Sequence, residues 1–153
     1  MTAYYLDASA AVKGYVAERG SSKVLQILDG STDHELHLGR ISVIEVFAAL
    51  YRRASVTGGD TEEISVAVAQ LREDIRGLYK IIESGIATAE RSVEVAEGHR
   101  LRAYDCLQLA TAVLLQEQRV AFGLSPLVLV SSDQELNAAA ATEGMLVEDP
   151  AAS

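Results

Sequence analysis

Four acidic residues of this chain stand in otherwise apolar text. Asp7 closes the strand-like run Tyr4-Tyr5-Leu6, and Asp133 follows Leu127-Val128-Leu129-Val130-Ser131-Ser132. Glu45 lies within Ser42-Val43-Ile44-Glu45-Val46-Phe47, and Asp105 opens Asp105-Cys106-Leu107-Gln108-Leu109-Ala110. A carboxylate on an apolar face is costly unless something compensates it. Four carboxylates gathered at one edge of a sheet repel, and at least one takes up a proton if no cation is present. A divalent ion removes that conflict, and all-oxygen ligation favours Mg²⁺ or Mn²⁺ over zinc. One such ion, or two about 4 Å apart, can activate water and stabilise the leaving oxygen of a phosphodiester.

Each acid also has a plainer reading. Asp7 could simply cap the helix that follows it. Ser42-x-x-Glu45 and Ser132-x-x-Glu135 have capping-box spacing, and Asp133 would be favoured at a helix N-terminus by the macrodipole. Asp105 could pair with Arg102 three residues before it. Capping explains an acid in a first turn, but it does not call for apolar residues on both sides of that acid. No lysine lies close in sequence to Glu45 or Asp105.

The elements that must position these acids are read from periodicity. A strand is expected at about 3–6, a helix at 8–17, a second helix at 22–28 and a strand at 35–38. Ser42 then opens a helix through Arg53, and Gly58-Gly59 makes a turn. Asp60 and Glu63 have capping-box spacing. Ile64, Val68, Leu71, Ile75 and Leu78 recur at steps of four and three, which is one amphipathic helix. A strand at 79–82, helices at about 86–96 and 102–118, a buried strand at 127–130, a helix at 133–142 and an edge strand at 145–147 complete the reading. Strands alternating with helices imply a mainly parallel sheet covered on both faces. Ligands of such sheets bind beyond the carboxyl ends of the strands, where Asp7 and Asp133 fall. Glu45 and Asp105, near the starts of their helices, can reach the same edge.

Composition sets outer limits. With 153 residues and 49% apolar content, the chain is long enough for one domain with a substantial core. No apolar run approaches the ~20 residues of a membrane span. Met1-Thr2-Ala3 lacks the basic and apolar text of a signal peptide. A soluble cytoplasmic protein is therefore expected. Cys106 is the only cysteine, which excludes an intrachain disulfide and a cysteine zinc cluster. A net charge of -9 argues against wrapping duplex DNA by charge alone. It leaves room for an enzyme that holds phosphates through a metal and a few local cations.

The blocks Tyr5-Leu6-Asp7-Ala8-Ser9-Ala10-Ala11-Val12-Lys13, Ser42-Val43-Ile44-Glu45-Val46, Asp105-Cys106-Leu107-Gln108-Leu109-Ala110-Thr111-Ala112 and Leu129-Val130-Ser131-Ser132-Asp133 resemble the PIN-domain nucleases, specifically the VapC-type toxins of toxin–antitoxin pairs. The order and spacing of acids match across nearly the whole chain. The resemblance implies a single PIN-like domain over 1–153, a three-layer α/β/α sandwich with a helical hairpin arm at about 42–78. It implies a metal-dependent endoribonuclease with Asp7, Glu45, Asp105 and Asp133 as the Mg²⁺ or Mn²⁺ ligands. Ser131 falls where the family carries Thr or Ser, and its hydroxyl would orient a carboxylate or water. The implied partners are an RNA substrate, a cognate antitoxin whose tail inserts a basic side chain into the site, and a second copy of the chain. Helix capping is the alternative role for Ser131, and equally for Ser9.

Competing classes fit less well. A haloacid-dehalogenase-type phosphatase would have an acid where Ser9 stands. A receiver domain would have a lysine after a late strand, yet the lysines are Lys13, Lys23 and Lys80. A catalytically inactive PIN-like module that binds RNA or protein is the remaining alternative, and retention of all four acids argues against it. Arg40, Arg100, Arg102 and Lys13 are candidates for phosphate contacts. Arg52-Arg53 reads as the outer face of a helix.

Overall fold

Strands and helices alternate from the first residues. β1 (Thr2–Leu6) leads into α1 (Ala8–Ala11), a 3-10 turn at Val12–Gly14 and α2 (Ser21–Asp29). β2 (His34–Gly39) runs straight into α3 (Arg40–Val56), followed by α4 (Thr61–Gly77) and β3 (Lys80–Ile82). α5 (Ile86–His99), α6 (Ala103–Ala121), β4 (Leu127–Val130), α7 (Gln134–Thr142) and β5 (Leu146–Glu148) complete the chain. The computed structural model describes residues 1–30, 33–56 and 61–152. The expected Gly58-Gly59 turn and the Asp60 cap lie outside the described residues.

The five strands form one sheet in the order β3-β2-β1-β4-β5, and every pairing is parallel. The chain builds outward from β1 to β3, then crosses back to lay β4 on the other side of β1. The topological switch point is thus between β1 and β4. Leu6 is in register with both Leu38 and Val130, so the carboxyl ends of the three central strands are level.

Strand periodicity divides the core in two. Leu6, Leu36, Leu38 and Val130 pack with α1 to α4. Ala3, Tyr5, Leu127 and Leu129 pack with α5 to α7. The result is the expected three-layer α/β/α sandwich. Both sheet faces are covered, which is why β4 reads as a continuous apolar run rather than an alternating one. The apolar stripes of α3 and α4 pack on each other: Val46, Leu50 and Leu71 are fully buried in the first core. Burial of such a side chain stabilises by roughly 1.5–3 kcal/mol. Val46, Leu50 and Leu71 of those stripes are therefore core.

Several boundaries differ from expectation by one to a few residues, and three of them have a visible cause. The first helix stops at Ala11 and tightens into the 3-10 turn. There α2 packs so closely that a Cβ on Gly14 would lie 2.7 Å from Leu28 Cδ1. Tyr79 precedes β3 and is buried; its hydroxyl meets that of Tyr15 at 2.8 Å, and Tyr15 donates to Asp74 at 2.6 Å. α3 starts at Arg40 rather than Ser42, because no loop separates it from β2. No helix among the described residues is long and apolar enough to cross a membrane.

Candidate active site

β1 ends at Leu6, and the next residue is Asp7, whose N–H still bonds Val130 O at 3.1 Å. Asp7 is thus at the switch point, buried, and serves as the N-cap of α1. Its carboxylate is held from three sides. Ser9 Oγ donates to Oδ1 at 2.7 Å, Ala10 N–H to the same oxygen at 3.0 Å, and Ser131 Oγ to Oδ2 at 2.8 Å. Both hydroxyls are themselves aimed by backbone amides: Ser132 N–H donates to Ser9 Oγ and Asp133 N–H to Ser131 Oγ, each at 3.0 Å. A hydroxyl that accepts an N–H has its own proton free for the carboxylate. The loop after β4 therefore orients Asp7 through two serines. Capping and site-building are the same arrangement here, not rival explanations.

Asp133 caps α7, and its Oδ1 accepts the N–H groups of Glu135 and Leu136 at 3.0 and 3.1 Å. The cap is Asp133, not Ser132, so the Ser132-x-x-Glu135 box does not form. Asp105 is in the first turn of α6, near the positive end of that helix. Glu45 is the sixth residue of α3, one turn past Ser42. Because α3 begins early, Ser42 is inside the helix and no Ser42–Glu45 capping box exists. Ser42 is instead fully buried and accepts a hydrogen bond from Gln108 Nε2. Gln108 in turn accepts from the Tyr5 hydroxyl at 2.7 Å. This buried chain links β1, α6 and α3 beneath Asp105 and Glu45.

The electrostatics join the four acids. Burial pushes the Asp7 carboxyl above its ordinary range; its three hydrogen bonds oppose the rise and the charge of Asp133 adds to it. Glu45 is raised by burial and by the charges of Asp7 and Asp105, with Arg52 opposing. Asp105 is raised by burial and by Asp133, with Arg102 opposing and Glu135 adding to the rise. Clustered like charges behave this way when no cation offsets them. None of the four forms an ion pair among the described residues.

The donor chemistry fits a divalent ion: oxygen ligands only, partly desolvated and mutually repelling. Among the described residues no three acidic, histidine or cysteine side chains yet converge on one ligating point. Asp7 and Asp133 spend oxygens on serine and backbone donors. Glu45 and Asp105 make no side-chain hydrogen bond among the described residues; Arg52 and Arg102 act on them through charge alone.

The structure reassigns several charges. Arg40 forks onto Glu83, through Nε at 3.0 and 3.2 Å and through a further contact from its terminal nitrogen. Lys13 is buried and bonds Glu18 at 3.1 Å. Neither faces the site as a free cation. Arg52 is exposed, as its reading as outer face implies, and it also borders a cavity of about 520 Å³ together with Glu45, Ser9 and Tyr104. Glu135 also acts on Asp105 electrostatically. The spacing of Glu45, Ala48, Ala49 and Arg52, at steps of three and four, was the signal that places Arg52 on the Glu45 face.

Comparison with known proteins follows the geometry. The family model described as PIN domain matches residues 4–141. Among solved structures, the chain is similar in fold to FitAcB from Neisseria gonorrhoeae, with TM-score 0.66, 18% identity and coverage of 96% of this chain and 97% of that one. It is similar to a toxin–antitoxin complex from Klebsiella pneumoniae, with TM-score 0.63, 18% identity and coverage of 96% and 97%. It is also similar to VapC20 of Mycobacterium tuberculosis, a toxin that cleaves the sarcin–ricin loop, with TM-score 0.59, 16% identity and coverage of 89% and 94%. No curated protein matches the chain at significant similarity. These identities speak for the fold, while the family match spans most of the sequence, and the chain belongs to the PIN-domain family.

Proposed function

We propose that this protein is the toxin of a toxin–antitoxin pair and a metal-dependent endoribonuclease. The observation that carries the reading is electrostatic: the charge of Asp133 raises the proton affinity of Asp7 and of Asp105, and those two raise that of Glu45, at the switch-point edge of the sheet. Those four carboxylates would hold Mg²⁺ or Mn²⁺, which when bound supplies charge neutralisation and water activation for phosphodiester hydrolysis. Ser131 positions Asp7 and Asp133 relative to each other, and Ser9 fixes the second Asp7 oxygen. The buried Tyr5–Gln108–Ser42 chain sets the distance between α6 and α3, hence between Asp105 and Glu45. Water attacks phosphorus, the phosphorus–oxygen bond to the leaving nucleoside breaks, and the leaving oxygen is protonated.

The partners follow from the same reading. A cognate antitoxin would silence the enzyme by placing a basic side chain among the carboxylates, which are short of positive charge. The α3–α4 hairpin would serve as the arm, and exposed Tyr51, Val56 and Val66 on it support pairing with a second copy in the cytoplasm. The test is incubation of the purified chain with a mixed single-stranded RNA pool, with Mn²⁺ or with EDTA, beside Asp105→Asn. Cleavage is expected only for the wild type with Mn²⁺. Full cleavage in EDTA, or by the variant, would remove the proposal. Binding of RNA without cleavage under any metal would favour the inactive-module alternative.

A further inference from the structure

One cavity adjoins the carboxylate cluster and has chemistry that the acids do not use. It holds about 520 Å³ and lies between α1, α3 and the start of α6. Ser9 and Glu45 form its border with the cluster, Ile41 and Ile44 give it an apolar wall along α3, and Arg52 and Tyr104 also line it. The volume lies within the ~300–1,000 Å³ typical of small-ligand sites. Tyr104 is 63% exposed although it directly precedes Asp105, so its ring is not required by the core. Arg52 is exposed and makes no ion pair among the described residues, unlike Arg40, Arg91 and Arg119.

We infer that this cavity is a nucleotide subsite for single-stranded RNA: Tyr104 stacks an unpaired base beside the scissile bond, and Arg52 contacts the adjoining phosphate. The inference rests on the nuclease reading and names where its substrate lies. Aromatic rings take unpaired bases, while a duplex keeps its bases stacked on each other. Arg52 supplies the positive charge that a phosphate needs, and the Glu45 carboxylate on the same helix face is the charge that a bound divalent ion would neutralise. Continuity with Glu45 and Ser9 places the occupant beside the acids. The stripe Glu45, Ala48, Ala49 and Arg52 follows one helix face, so the phosphate contact and the carboxylate are held on one rigid element.

The test is binding of a fluorescent single-stranded RNA decamer with Ca²⁺ in place of Mg²⁺, and cleavage of the same decamer with Mn²⁺. Tyr104→Ala should weaken binding by about 5- to 150-fold, the range expected for one stacked base, and Tyr104→Phe should retain it. Arg52→Ala should weaken binding of every sequence similarly and lower the salt-dependence slope by about 0.7, with Arg52→Lys intermediate. Both sites are exposed, and thermal melts will confirm that the variants fold. Wild-type binding in both alanine variants would overturn the subsite, as would equal affinity for a duplex. Loss of binding to a basic antitoxin-like peptide with RNA binding unchanged would also overturn it and make the cavity a protein-docking surface. RNA binding that depends on Tyr104 and Arg52 without any cleavage would uphold the subsite and remove the nuclease reading. Cleavage with unchanged KM in both variants would do the reverse.

Discussion

Ser131 and Asp7 are 124 residues apart in sequence, yet Ser131 Oγ donates to Asp7 Oδ2 at 2.8 Å. The bond crosses the switch point between β1 and β4. Ser131 also accepts the N–H of Asp133, so one hydroxyl couples two of the four acids. Ser131→Ala would leave a buried carboxylate oxygen and an amide without that partner. A cost of about 1–3 kcal/mol is expected, read as a lower urea midpoint at unchanged slope.

The same substitution has a second readout. The Ser131 hydrogen bond holds the Asp7 carboxyl down against burial. Its removal should move Asp7 further up, and the acidic limb of the cleavage rate with it, to higher pH. Ser131→Thr keeps the hydroxyl and should keep the limb where it is. An unshifted limb in Ser131→Ala would mean that Asp7 ionisation does not control the rate.

Asp105→Asn should reduce cleavage by about 10²–10³-fold, the scale for loss of one preorganised electrostatic group. It should also stabilise the metal-free protein. Asp105 has a folded pKa above its unfolded value, so its charge destabilises the fold. That penalty is absent below the unfolded value of about 3.9 and complete once pH exceeds the folded value. The melting temperature of Asp105→Asn minus that of the wild type, in EDTA, should therefore be near zero at pH 3.5 and positive at pH 7. Each 1 kcal/mol appears as roughly 2–4 °C at this chain length. Taking the difference cancels groups that do not interact with Asp105, buried His37 among them, while relief of Glu45, which the Asp105 charge raises, acts in the same direction. A difference that does not grow with pH would show that Asp105 is not strained by its neighbours.

A divalent ion should invert that order. At 100 times its dissociation constant, Mn²⁺ bound only to the folded state adds about 2.7 kcal/mol. The wild type should gain that stabilisation, and Asp105→Asn or Asp7→Asn should lose most of it. Calorimetric melts with and without Mn²⁺ measure this without any RNA. Equal metal-induced shifts in wild type and both variants would place the ion elsewhere.

Much of this was legible in the sequence because parallel strands advertise themselves. The β4 run reads as buried on both faces, and Asp7 and Asp133 follow the ends of β1 and β4. The misread parts share one cause: contacts between distant segments. Ser42 looks like a cap, but its partner is Gln108, and β2 passes into α3 without a loop. Arg40 looks free, but Glu83 at the end of β3 takes it. Arg52 reads as outer surface and is exposed; the cavity that it borders needs α1 and the start of α6 beside α3. Glu135 reads as the acid of a capping box, a role that Asp133 removes by capping α7 itself.

The buried chain below the acids gives a test of how tightly α3 is set. At Gly39, where β2 becomes α3, an added Cβ would fall against the Tyr5 hydroxyl, well inside contact distance. Tyr5 is fully buried and donates to Gln108 at 2.7 Å, so its hydroxyl cannot retreat without breaking that bond. Gly39→Ala should therefore cost about 1–3 kcal/mol as an overpacked site. Tyr5→Phe alone should cost about 1 kcal/mol for the lost hydrogen bond, and more if Gln108 is left unsatisfied. The double variant removes the atom that the new methyl meets, so its cost should fall below the sum of the two singles. A coupling of 0.5 kcal/mol or more is the range for residues in contact. Strict additivity in a denaturation cycle would mean that the backbone at Gly39 yields instead. Glu45, six residues further along, would then be less firmly placed than the Tyr5–Gln108–Ser42 chain implies.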